Sequence, residues 1–215
     1  VDPVFRAEGV AVADFNGDGK KDIAAGSVYY AAPDWKMVPI SEKAKEFSPK
    51  SYSDAFCCFA DDFNGDGRPD LLVVDIPGKP ACWFENPGTA GGPWKRHVAV
   101  TVCNNESPIW ADVDGDGRPE LVCGWSPDPQ KPDSPKRRMV FARPGKDPRA
   151  PWPLRVFSAE NSPGSRKYYH GLGVGDINRD GRNDVVCKEG WWENPADRNR
   201  AEWAFHKAPL GQDCA

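Results

Sequence analysis

The sequence predicts an all-β fold, a β-propeller built of four-stranded antiparallel blades, on three observations. A nine-residue acidic loop recurs four times without gaps, short apolar runs flank every copy, and turn-forming residues punctuate the whole chain. Pro (22) and Gly (21) supply a fifth of the 215 residues, as many short strands joined by turns require. The nine Trp demand a core, which argues against a disordered chain of similar polarity.

The four copies are Asp14–Asp22, Asp62–Asp70, Asp112–Glu120 and Asp176–Asp184, with first residues 48, 50 and 64 apart. Each follows an apolar run too short for a helix: Val10–Ala13, Phe56–Ala60, Pro108–Ala111 and Leu172–Gly175. Each precedes another: Ile23–Ala25, Leu71–Val74, Leu121–Cys123 and Val185–Cys187. A third strand is clearest in Cys82–Pro87 and Gly190–Pro195, and a fourth starts at Trp35, Trp94, Trp152 and Trp203. Four strands about every 50 residues make a propeller blade. The reading is one domain, 1–215, with blades at about 5–41, 52–100, 105–158 and 168–210 and no helix. The additional length of the third interval falls in the Pro- and Lys/Arg-rich stretch 126–151, read as a long surface loop that includes the solvated basic run Lys136–Arg138.

Calcium takes six to eight hard oxygens at flexible geometry, and a tight loop offers them from alternate positions. Positions 1, 3 and 5 are Asp or Asn in every copy: Asp14, Asn16, Asp18; Asp62, Asn64, Asp66; Asp112, Asp114, Asp116; Asp176, Asn178, Asp180. Position 6 is always Gly, where the chain must turn sharply. Position 7 (Lys20, Arg68, Arg118, Arg182) offers its backbone carbonyl, and position 9 (Asp22, Asp70, Glu120, Asp184) is acidic. An EF-hand needs Glu at position 12 and flanking helices, whereas Ala25, Val73, Cys123 and Cys187 stand there, so the loop closes at position 9 within a hairpin. The loops hold thirteen of the 32 carboxylates, a repulsive arrangement unless a cation sits among them. One calcium ion per loop, about four in all, is the expected cofactor; it would take the net charge from −4 to +4.

These DxNGDGxxD loops and the Trp-(Trp/Phe)-Glu-Asn-Pro strand ends resemble the FG-GAP/VCBS repeat family, over residues 5–210. The resemblance implies calcium on positions 1, 3, 5, 7 and 9, a secreted, periplasmic or extracellular setting, and a propeller of about seven blades. Val1, without an initiator Met, reads as the start of a mature or trimmed chain; four blades and an ending at 206–215 that reads as the lead into another blade favour part of a larger propeller over a closed four-bladed ring.

A second candidate site lies six residues before each first Asp, at Glu8, Phe56, Glu106 and His170, with Asp54, Asn105 and Tyr169 nearby. In a ring these positions converge on the axis. Glu8, Glu106, Tyr169 and His170 are then a ligand, metal or acid–base cluster, or a solvated polar rim. The pairs Tyr29–Tyr30, Tyr168–Tyr169 and Trp191–Trp192 offer rings for sugar stacking, with at least one of each pair in the core. The net charge of −4 gives no basic footprint for nucleic acid, and no apolar run reaches membrane-spanning length. Seven Cys without a CxxC pair leave disulfide pairing unassigned; Cys123 and Cys187 read as small buried strand residues. The expected activity is that of a binding module whose partners are a polysaccharide or protein ligand, or the remaining blades. The alternatives are a polysaccharide lyase or hydrolase using His170 with a neighbouring Tyr, and a structural subunit docking another chain.

Overall fold

The computed structural model describes residues 1–211, so Cys214 and the end of the 206–215 segment lie outside the described residues. Strand pairing follows chain order, giving four antiparallel four-stranded sheets. Sheet 1 is β1 (Ala11–Ala13), β2 (Asp22–Ala25), β3 (Val28–Ala31) and β4 (Lys36–Pro39). Sheet 2 is β5 (Cys57–Asp61), β6 (Asp70–Val74), β7 (Lys79–Glu85) and β8 (Lys95–Cys103). Sheet 3 is β9 (Ile109–Ala111), β10 (Glu120–Trp125), β11 (Arg138–Ala142) and β12 (Leu154–Val156). Sheet 4 is β13 (Gly173–Gly175), β14 (Asp184–Cys187), β15 (Gly190–Glu193) and β16 (Ala204–Lys207). Helical structure among the described residues is one 3-10 turn, Gly88–Ala90.

The acidic loops join the first and second strand of every sheet, as the hairpin reading requires. The stretch 126–151 departs from expectation. Strand β11 runs through it, and Met139, Val140, Phe141 and Ala142 are buried against β10. Surrounding prolines and the basic run obscure this four-residue apolar segment in the sequence. The run is not simply solvated either: Arg137 pairs with Asp133 at 3.6 Å and Arg138 with Glu160 at 2.9 Å.

The chain forms two compact units. The first comprises residues 1–76, 80–101 and 144–152; the second comprises 77–79, 102–143 and the chain from Pro153. In the first, β1 lies beside β5, and Phe15, Tyr29, Ile40, Leu71, Val73 and Trp94 share one core. In the second, β13 lies beside β9, and Phe141, Phe157, Tyr169, Trp192 and Trp203 share another. Fully burying a side chain of this kind stabilises by roughly 1.5–3 kcal/mol. The fourth-strand Trp residues also bridge sheets within each unit: the Trp94 N–H donates to the Ile40 carbonyl and the Trp203 N–H to the Phe157 carbonyl, each at 2.8 Å. Trp35 differs, being 38% exposed with φ of 57°. Tyr29 and Tyr30 are both buried, because β3 is covered on both faces.

Candidate metal-binding loops

The four loops share one backbone path. Position 6 has φ between 83° and 87° in Gly19, Gly67, Gly117 and Gly181, the left-handed region where glycine alone carries no Cβ penalty. Position 4 is left-handed as well, in Gly17, Gly65, Gly115 and, without that freedom, Arg179 at φ 64°. The side chains fold the path. In loop 1, Asp14 accepts the N–H groups of Gly17 and Gly19, each at 2.8 Å, Asn16 accepts that of Asp18, and Asp18 that of Lys20. Loop 2 repeats the pattern. Loop 3 keeps all four bonds, and loop 4 keeps the bonds to Gly181, Asp180 and Arg182. The side chains of positions 1, 3 and 5 are thereby tied to the loop's own backbone. Their donor chemistry fits a hard divalent ion: in loop 3 one oxygen each of Asp112, Asp114 and Asp116 lie within 4.8 Å of one another.

Position 9 has a second task. Asp22, Asp70, Glu120 and Asp184 are all buried, at most 1% exposed. One oxygen of each accepts the N–H of position 2, from Phe15, Phe63, Val113 or Ile177, at 2.9–3.1 Å. The other accepts a backbone N–H from the end of the third strand in three repeats: Ala32, Asn86 and Asn194. In repeat 3 the Arg143 side chain takes that place at 2.8 Å from Glu120. Burial pushes the Asp70 carboxyl up to about 7 and raises that of Glu120. A cation at either loop would hold it ionised.

The side chains at position 7 also reach back. Arg68 and Arg182 pair with the position-5 residues Asp66, at 2.5 Å, and Asp180, while Arg118 stays 4.0 Å from Asp116.

The second candidate cluster divides between the units. In the first, Glu8 accepts the backbone N–H of Ser53 at 2.9 Å and its hydroxyl. In the second, Glu106 and His170 meet at 2.9 Å. Tyr169 is 2% exposed, its phenol bonded to Glu189 and raised well above the usual range by burial and that carboxylate. It is packed and engaged rather than presented to a substrate, whereas Tyr168 is 44% exposed.

Two features escaped the sequence reading. Glu85 and Glu193 end their third strands against a fourth-strand His, at 2.9 Å from His97 and 2.7 Å from His206. A Trp packs on each imidazole: Trp191 stacks on His206 at an interplanar angle of 16°, and Trp83 lies tilted against His97 at 30°. The shared Trp-x-x-His spacing of Trp94–His97 and Trp203–His206 was the available signal. The other feature is a cavity of about 300 Å³ in the first unit, at the ends of sheets 1 and 2 remote from their acidic loops. Phe84 and Cys82 line it with Lys45, Asp54, Asp75 and Arg96, and Lys45 is ion-paired to Asp54.

Residues 62–123 match the family model of the FG-GAP-like repeat. The matched span starts at position 1 of loop 2 and ends in β10 of repeat 3, so it takes in two of the four loops. The FG-GAP-like segment thus carries both the Asn64 and the Asp114 version of position 3. No curated protein matches the chain. Among solved structures, the chain is similar to an Agrocybe aegerita lectin studied for its specific recognition of non-reducing terminal N-acetylglucosamine. Identity is 17% and the TM-score 0.45, over 84% of this chain and 47% of that one. The chain therefore spans less than half the length of that lectin chain.

Proposed function

We propose that the chain is a calcium-stabilised binding module for an extracellular polysaccharide or protein, its sheets standing as blades of a larger, about seven-bladed propeller. The observation that carries this reading is the fourfold loop: one backbone path, with the oxygens of positions 1, 3 and 5 tied to the loop's own N–H groups every time and, in loop 3, gathered within 4.8 Å of one another. Calcium would be held by these side chains, by the position-7 carbonyl and by the position-9 carboxylate, and would supply the positive charge that the crowded carboxylates require. Extracellular calcium suffices even for millimolar sites, which supports a secreted setting. The cavity beside Phe84 and Arg96 supplies a surface for a ligand away from the loops: an apolar wall, charged donors and acceptors, and a volume at the low end for ligand pockets.

Calorimetry of the full chain with and without EDTA tests the calcium component. A site saturated 100-fold above its Kd contributes about 2.7 kcal/mol. About 2–4 °C of Tm follows each kcal/mol in a domain this size. Chelation should therefore lower Tm by ~10 °C or more, and an unchanged Tm would sink the reading. A panel of neutral and acidic polysaccharides, scored for both binding and cleavage, tests the rest. Binding without turnover is expected; turnover that is lost in His170→Ala would make the chain an enzyme instead.

A further inference from the structure

We infer that loop 3 carries its own resident cation, the Arg143 guanidinium, which calcium must displace, so that this loop fills last and most weakly. The inference rests on the calcium reading above and concerns this chain's own departure from it. A single nitrogen, Arg143 Nη1, lies 2.6 Å from Asp116, 2.8 Å from Glu120 and 4.0 Å from Asp114. Those residues are positions 5, 9 and 3 of one loop, so the nitrogen stands among the oxygens that would surround an ion. The Arg143 side chain is about three-quarters buried.

The other loops provide the internal comparison. Arg68 and Arg182 each pair with one carboxylate of their own loop, at position 5, and Lys20 makes no ion pair among the described residues. Only in loop 3, among the described residues, does a side chain from outside the loop bridge two of its carboxylates.

Three residues account for the difference. Register sets Ala142 opposite Leu121, as Phe84 stands opposite Leu71. Arg143 therefore occupies the place of Glu85, and the next residue, Pro144, that of Asn86. Asn86 donates its backbone N–H to the position-9 acid, but proline has none to give. Glu120, one methylene longer than Asp, takes its second bond from the Arg143 side chain instead. Asp114 puts a fourth carboxylate in this loop where the others hold three, and the guanidinium offsets that extra charge. A cavity of about 240 Å³, lined by Asp114 and Glu120 as well as Arg143, Leu154 and Arg155, adjoins the guanidinium.

Calcium titration of the full chain by calorimetry, with ions counted by native mass spectrometry, tests this. The wild type should bind three ions tightly and a fourth at least tenfold more weakly. Asp112→Ala should remove only the weak ion, and Arg143→Gln should tighten it about tenfold or more. Four equivalent ions in the wild type would overturn the inference and leave the calcium reading standing. So would loss of a tight ion in Asp112→Ala, which tests the assignment even if Arg143→Gln folds poorly, or an unchanged fourth ion in a folded Arg143→Gln. No bound ion in any variant would overturn both.

Discussion

In repeats 2 and 4 the third strand is followed at once by an asparagine that repeats 1 and 3 lack. Asn86 donates its amide to the carbonyl of Phe15, in the loop of repeat 1, at 2.8 Å, and to Pro69 of its own loop at 2.9 Å. Asn194 reproduces both bonds, to Val113 at 2.8 Å and Asn183 at 2.9 Å. Repeats 1 and 3 have Ala32 and Pro144 at that register. The latch thus runs backward from an even repeat to the odd one before it, in each unit. Sequence copies of a repeat are consequently not structural equals: at this corner an even repeat satisfies a buried carbonyl of the odd repeat before it.

The largest expected effect comes from cutting the latch. Asn86→Ala or Asn194→Ala removes two side-chain donors and strands buried carbonyls, at a cost of about 2–3 kcal/mol each. Denaturant unfolding measures it. Ala32→Ser, at the corresponding place of an odd repeat, should change stability by less than ~0.5 kcal/mol. Equal losses from both would dissolve the distinction.

A second, smaller effect separates the two even repeats from each other. Glu85 holds Arg149 at 2.6 and 3.1 Å as well as His97, and these partners keep its carboxyl down at about 2, from an ordinary 4.5. A depressed carboxyl contributes stability that is present above about pH 4.5 and is lost as pH falls through about 2. Arg149→Ala should bring that loss to higher pH in acid-unfolding curves. The shift should be modest, because Arg149 is half exposed and salt screens the pair. An acid limb identical to wild type would show that the pair adds nothing.

The smallest effect tests whether loop 4 is strained relative to loops 1 to 3. A non-glycine residue in the left-handed region costs roughly 1–2 kcal/mol, and glycine returns about 0.5–1 kcal/mol of that as backbone entropy. Arg179→Gly should therefore raise stability by about 0.5 kcal/mol, visible as a Tm rise of roughly 1–2 °C. A fall in Tm would mean that the arginine side chain compensates for its backbone.

Much of this architecture was legible because it is local. Nine-residue loops fold through bonds spanning two to seven residues, so Asp14 and Gly19 announce their geometry from spacing alone. The flanking strands follow from apolar runs such as Leu71–Val74, and the approach of Glu106 to His170 from their shared place ahead of consecutive loops. What was not legible depends on register between distant segments. Arg143 enters loop 3 only once β10 has paired with β11, and Asn86 reaches Phe15 across 71 residues. Strand β11 was hidden for a related reason: four apolar residues among prolines and arginines signal a strand only when a partner edge is present to receive them.

The latch acceptor has one more implication. Phe15 and Val113 are the second residues of their loops, so each asparagine grips the carbonyl of a residue whose N–H, in the preceding peptide, is already held by the buried acid at position 9. Rigidity gained at an odd corner is handed along a two-bond relay to the sheet that follows. Each odd corner is thus pinned from both sides, by the acid of its own repeat and by the asparagine of the next.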